Sequence, residues 1–366
     1  MNLLSLRFFL LLGLACVSLG CANQALVGLL AKPDPQLVEV AKLQPEDTQT
    51  QVRYPPTAVM ALTQQMQAYA EQAVAGLKGD DRKVKALHHA LIAPPAAGGL
   101  GISYQPLATL TAAQVFARRE ANCLSFSLLF VAMARYVGLA ASLNDVQVPP
   151  TWAMNNERVQ FMRHVNVKVD LRFSTDDIVV DLDMRNYRPY YPQTLIRDET
   201  AIAQYYNNLA MTMEPGDTAS PRKLALMRLA ISLADEQSYL WNNLATLYWR
   251  MGLPRTAEAL YLQAAHINPE DLTVVWNLSE FYRSQHRYEL AEALLQVVEN
   301  YRDSNPYYQY RLAGVYFSEA NYEQAARRIE AAIDKQPEET RFYRLAADIY
   351  EQMGLTRKQR QAQQQF

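Results

Sequence analysis

Hydrophobic spacing divides this chain into segments of different period. Near the start, Phe8 to Leu19 is an unbroken apolar run. From Thr57 a helical pattern runs through Met60, Leu62, Met66 and Ala70 towards Ala75. A second apolar segment covers Val84 to Ile92 and stops at Ala93-Pro94-Pro95, where Gly98, Gly99 and Gly101 mark a loop. Thr111 is placed to cap a short helix from Ala112 to Arg119. From Cys123 to Val137 nearly every position is apolar, which predicts a helix buried on most sides and central to its domain. Gly138 ends it. Beyond Pro149-Pro150 the period falls to two: Val165, Val167, Val169 and Leu171 alternate with His164, Asn166, Lys168 and Asp170. Ser174 to Asp177 reads as a turn and Ile178-Val179-Val180 as the next strand, so a hairpin is predicted.

The second half keeps a different rhythm. Leu244, Leu278 and Leu312 recur every 34 residues, as do Tyr248, Tyr282 and Tyr316, and Ala257, Ala291 and Ala325. Pro269 and Pro337 close the first and third units, while Asp303 stands at that place in the middle unit, with Pro306 following. Small residues at these steps let two antiparallel helices approach, and the large aromatics fill the gaps to neighbouring units. Trp241, Leu244, Ala245, Tyr248, Ala257, Tyr261, Ala264 and Pro269 resemble the tetratricopeptide pattern. A degenerate unit precedes them, with Tyr205 to Leu209 in its first helix and Leu224 to Ala230 in its second. Phe342 to Tyr350 is expected to cap the end, ahead of a polar tail from Lys358 to Gln365.

Charge adds little. The formal net charge is −2 and no basic patch interleaves with aromatics, so nucleic acid is not an expected partner. There is no HExxH, no CxxC pair and no calcium-loop pattern, so neither a metal nor a cofactor is expected. The first apolar run, preceded by Arg7, has the form of an export signal and falls short of the ~20 residues a spanning helix needs. Ser18-Leu19-Gly20-Cys21 resembles a bacterial lipobox, with Ser18 where that motif usually carries Leu. The resemblance implies acylation of Cys21, a lipid anchor and a periplasm-facing lipoprotein of the cell envelope. Ala22 after the cysteine points to the outer membrane.

If the signal is removed there, Cys123 is the one thiol without a role in targeting, in a compartment that oxidises unprotected thiols. Placed at a helix start, it would feel the positive end of the helix dipole, which favours the thiolate. His164 opens a strand downstream, and Asp181 follows the β-branched run of the next. Together they form a nucleophile, a general base and an orienting carboxylate. Asp183 lies two residues on and shares the face of Asp181, so either can be the third member. His88, His89, His266 and His286 are the other imidazoles; the first pair lies in a helical stretch and the second pair in the repeats.

Asn122-Cys123-Leu124-Ser125 opening an apolar helix, Arg163-His164-Val165-Asn166-Val167 beginning a strand, and Val179-Val180-Asp181 resemble the transglutaminase-like (papain-like) superfamily. The likeness covers roughly residues 57–195. It implies an α+β domain whose cysteine helix packs on an antiparallel sheet, and thiol chemistry on amides: peptide hydrolysis or acyl transfer. Trp152 is the residue that would wall the cleft or support the oxyanion, as Trp does in transglutaminases. The expected organisation is a signal peptide at 1–20, a flexible tether at 21–55, the transglutaminase-like domain at 56–200, and an all-α repeat solenoid at 201–366. By resemblance to peptide-binding repeats, Asn208, Asn243, Asn277 and Arg311 would grip a protein or peptide backbone in the solenoid's groove. Two functions are consistent with this plan. One is a tethered cysteine enzyme fed by its repeats; the other is a non-catalytic lipoprotein adaptor.

Overall fold

The computed structural model describes residues 30–42, 53–147, 151–152, 159–160, 163–172, 177–183, 187, 193–212, 221–269 and 271–366. Cys21 and the rest of residues 1–29, the expected signal, lie outside them. The described chain falls into two compact units, Leu30–Asn277 and Leu278–Phe366.

In the first unit, helix α1 (Pro35–Lys42) lies within the span expected to be a tether. Asp34 caps it, accepting from Gln36 N at 3.0 Å, and Pro35 takes the first turn, where no backbone donor is needed. Val38 and Ala41 are buried, and the helix packs on the repeats. Short helix α2 (Pro56–Val59) and helix α3 (Gln64–Val74) follow, the latter capped by Thr63. Helix α4 (Asp80–Ile92) buries Val84, Leu87 and Leu91 and carries Asp80 and Asp81 in its first turn, where the helix dipole favours them. Strand β1 (Ser103–Tyr104), helix α5 (Ala112–Arg118) and strand β2 (Glu120–Ala121) lead into helix α6 (Cys123–Tyr136). Thr111 and Gln114 close a full capping box on α5. Gly138, at φ +82°, turns the chain away from α6.

The sheet is built from β3 (Ala140–Gln147), β6 (Arg163–Asp170), β7 (Ile178–Val180) and β8 (Gln193–Ile196) in the order β7-β6-β3-β8. Strands β4 (Thr151–Trp152) and β5 (Val159–Gln160) pair separately. Every pairing in the four-stranded sheet is antiparallel, and α6 packs on β6 and β3. The predicted hairpin is the β6–β7 pair. The central strand β3 gave no alternating signal, because Asn144 is buried alongside Leu143 and Val146.

Helices α7 (Asp198–Thr212), α8 (Pro221–Leu233), α9 (Ser238–Arg250) and α10 (Pro254–Ile267) complete the first unit. They pack as successive antiparallel pairs around Trp241, Leu244, Tyr261 and Ala264. The Tyr206 hydroxyl donates to the Tyr54 carbonyl at 2.7 Å, and Arg135 pairs with Asp198 at 2.5 Å. Such bonds join the first repeats to the α+β part, so the compact unit runs past residue 200.

Helix α11 (Leu272–Ser284) carries the boundary between the units. The second unit continues with α12 (Tyr288–Ser304), α13 (Pro306–Ser318), α14 (Tyr322–Lys335), α15 (Thr340–Gln352) and α16 (Thr356–Gln363). Its core gathers Ala325, Ile329, Phe342 and Ala346, with Tyr310 stacked on Phe342 at 5.1 Å between ring centroids. The expected polar tail is largely helical, in α16. Among the described residues no helix is long and apolar enough to cross a membrane.

Candidate active site

Cys123 is the first residue of α6, and the residues around it explain why the helix starts there. Asn122 is extended, at φ −87° and ψ 175°, and its side-chain oxygen accepts from Ser125 N at 2.9 Å. Its amide donates to Thr109 Oγ1 at 3.0 Å, fixing the cap against the preceding loop. The Ser125 hydroxyl donates to Ala108 O at 3.1 Å and accepts from Leu110 N at 2.8 Å. Ser127 then joins the helix to the sheet, donating to Val165 O at 3.1 Å. These polar residues are buried, and each bond satisfies a group that would otherwise be orphaned.

Strand register places the other two members. Val180 faces Val167, so the next residue, Asp181, comes opposite Asn166 and diagonal to His164, on the same face. The same register would place Asp183 on that face too, which is why the sequence alone left both open. Asp181 Oδ2 takes the hydrogen bond with His164 Nε2, whereas Asp183 offers its backbone N–H to Asp181 Oδ1 at 3.2 Å. The Cys123, His164 and Asp181 donor atoms all lie within 4.8 Å of one another. With Nε2 engaged by the carboxylate, Nδ1 is the ring nitrogen left for the thiol.

Burial alone would push His164 below its ordinary 6.5. The hydrogen bond to Asp181 and the nearness of Cys123 outweigh it and raise the imidazole to about 10. His164 and Asp181 are both buried, while Cys123 is half-buried and reachable. Cys, His and Asp are also zinc ligands. However, the direct Nε2–Oδ2 hydrogen bond holds these two donors closer than the about 3.3 Å that separates two tetrahedral ligands at ordinary Zn–N and Zn–O lengths. The arrangement suits proton transfer better than chelation.

Sequence reasoning set His88 aside for want of strand context. The fold brings it from α4 to the back of the site, where Nε2 lies 3.0 Å from the Asp181 carbonyl. Its ring meets Phe126 and Phe130 of α6 edge-on, at 6.0 and 6.3 Å between centroids. Burial, chiefly, holds its pKa below the usual value. The available signal was its position beside the apolar stripe Val84–Leu87–Leu91.

The remaining residues lie elsewhere. The Trp152 backbone pairs with Val159 in the β4–β5 ribbon, and its side chain is outside the described residues. Asn208, Asn243 and Asn277 sit on α7, α9 and α11, while the side chain of Arg311, on α13, is also outside the description. The asparagines bond to one another rather than standing free. Asn243 donates to Asn207 Oδ1 at 2.8 Å and Asn277 to Asn242 Oδ1 at 3.1 Å. Asn207 donates to Asn208 at 3.2 Å and Asn242 to Asn243 at 3.4 Å. One N–H of Asn243 and of Asn277 is therefore already used between repeats, leaving each amide the other for a ligand.

The family profile described as tetratricopeptide repeat matches residues 242–307 and 310–365. The C-terminal region is thus a tetratricopeptide array, preceded by a mixed α/β domain. No curated protein matches the chain. Among solved structures, it is similar to MamA (residues 41 to the end) from Desulfovibrio magneticus RS-1, at 14% identity over 45% of this chain and 90% of that one, with TM-score 0.25. BtubC from P. vanneervenii gives 19% identity over 45% and 78%, with TM-score 0.25. Pseudomonas aeruginosa pilF gives 18% over 46% and 77%, with TM-score 0.27.

Proposed function

We propose that this protein is a cysteine-dependent amide hydrolase or acyltransferase of transglutaminase-like type, with repeats that present a protein or peptide substrate. The observation that carries the reading is that a helix-start thiol, an imidazole and a buried carboxylate gather within 4.8 Å of one another, with the imidazole hydrogen-bonded to the carboxylate. In this reading the His164 imidazolium already holds the pair's proton, and the Cys123 thiolate attacks an amide carbonyl carbon, forming a C–S bond. The carbonyl electron pair moves to oxygen, near the N–H groups of the first turn of α6. As the pair returns, the C–N bond breaks and the imidazolium gives its proton to the departing amine. A thioester remains. Water in hydrolysis, or an amine in acyl transfer, then attacks the thioester carbon and gives its proton to His164, and the C–S bond breaks with its electron pair returning to Cys123 as thiolate. Asp181 keeps the ring in one tautomer throughout. An export signal ending at Cys21 would set this chemistry at the cell envelope.

The test is the rate of iodoacetamide alkylation at Cys123. The parent is expected to react at neutral pH faster than free cysteine. The reaction slows in His164→Ala and Asp181→Asn, while Asp183→Asn stays near the parent. A rate no greater than that of free cysteine, unchanged by His164→Ala, would leave the adaptor function as the better reading.

A further inference from the structure

The first unit holds a second polar cavity, built from residues that the cysteine chemistry does not use. Its volume is about 190 Å³, many times the ~10–15 Å³ that one water needs. Arg53, ahead of α2, and Arg222, on the first turn of α8, both contribute to its wall. Neither guanidinium has a carboxylate partner among the described residues; Arg53 lies 5.4 Å from the centre of its neighbour Tyr54's ring. No acidic side chain is among the described lining. Two arginines that share one recess and have no carboxylate partner among the described residues are ready to meet an anion.

Two further features give the recess shape. Tyr205 is almost wholly buried, yet its hydroxyl bonds to no described residue and feels both guanidiniums. That phenol can donate to an oxyanion between the two charges. Leu110, Leu209 and Leu226 supply an apolar wall beside them. The combination of two cations, a phenolic donor and leucines fits a small molecule or side chain with an oxyanion head and an apolar body.

The floor of the recess is held in place. The Tyr206 hydroxyl donates to Tyr54 O at 2.7 Å, and Gln114 Nε2 donates to the Tyr54 hydroxyl at 3.0 Å. Thr109, also in the wall, accepts from the Asn122 that caps α6, and Leu110 N donates to Ser125. The recess is therefore formed in part by groups already fixed by hydrogen bonds, and its two arginines are the part without a carboxylate partner among the described residues.

We infer that Arg53, Arg222 and Tyr205 form a binding site for an organic oxyanion, a carboxylate or a phosphate monoester carried on an apolar group. The probes are phenyl phosphate, benzoate and the neutral benzyl alcohol, titrated calorimetrically into the full protein at constant ionic strength. One or both anions are expected to bind and the alcohol not to bind. Arg53→Gln and Arg222→Gln should each weaken binding about tenfold, the loss of one charge-assisted hydrogen bond. Binding of phenyl phosphate alone identifies a phosphate site, and of benzoate alone a carboxylate site. Cys123→Ala should bind the anions as well as the parent does, so the result is independent of the thiol's chemistry. Absence of binding by both anions, or binding unchanged when both arginines are replaced, overturns the inference. Thermal unfolding of the two variants, expected at the parent temperature, guards against a folding defect.

Discussion

His88 donates from Nε2 to the backbone carbonyl of Asp181, the residue whose side chain holds His164. A carbonyl can only accept, so this contact fixes the tautomer of His88 with its proton on Nε2. The strand β7 ends at Val180, and Asp181 is the first residue beyond it. Without the sheet's own ladder, the carbonyl of Asp181 depends on a helix from another part of the domain.

His88 is therefore a positioning residue, and its removal should be felt at the thiol. His88→Ala is expected to destabilise the fold by about 1–3 kcal/mol, from the lost hydrogen bond and lost packing on Phe126 and Phe130. It should also slow the alkylation of Cys123 at neutral pH. His88→Gln keeps a donor and is expected to recover much of the alkylation rate. Equal rates for the Ala and Gln variants, at equal folded fractions, would show that the contact only packs.

The raised pKa of His164 ties stability to pH. Its folded value, about 10, lies above the ordinary 6.5, so the folded state holds a proton that the unfolded chain releases first. The resulting stabilisation is complete below about pH 6.5 and is lost as pH rises towards 10. Urea unfolding of the parent should show stability falling across that window, and His164→Gln should flatten the fall. A parent curve as flat as the variant's would mean that the imidazole is not held charged.

The helix of Cys123, the β6–β7 hairpin and the 34-residue array were all legible, because each depends on a local period. Residues 123–137 are apolar almost all round, Val165 to Leu171 alternate, and Leu244, Leu278 and Leu312 repeat. What escaped depends on long-range contacts. His88 meets Asp181 across 93 positions of sequence. Arg228 of α8 holds the C-terminal end of α1 by donating to Ala41 O at 3.0 Å, far along the chain from a segment whose prolines and charges suggested a tether. Asn243 and Asn277 were recognised by position, but their bonds to Asn207 and Asn242 link residues 35 or 36 apart. Those partners are adjacent to the marked row, one residue from the positions that the repeat pattern singles out.

The repeats carry a backbone period that the side chains only half reveal. Gly252, His286, Ala320 and Gly354 have φ of +75°, +60°, +58° and +69°, one at the turn between the two helices of each of four repeats and 34 residues apart. Two of the four lack the glycine this conformation favours, so the turn is strained at His286 and Ala320. Gly354 has nothing within 4 Å of the place a Cβ would occupy, so replacing it tests the backbone alone. Gly354→Ala should cost about 1 kcal/mol. Ala320→Gly makes the reverse exchange at the equivalent turn and should be neutral to slightly stabilising, as relief of strain offsets the added freedom of the unfolded chain. Urea denaturation of both variants checks the pair. If Ala320→Gly cost as much as Gly354→Ala, the left-handed turn would not be the shared determinant of the repeats.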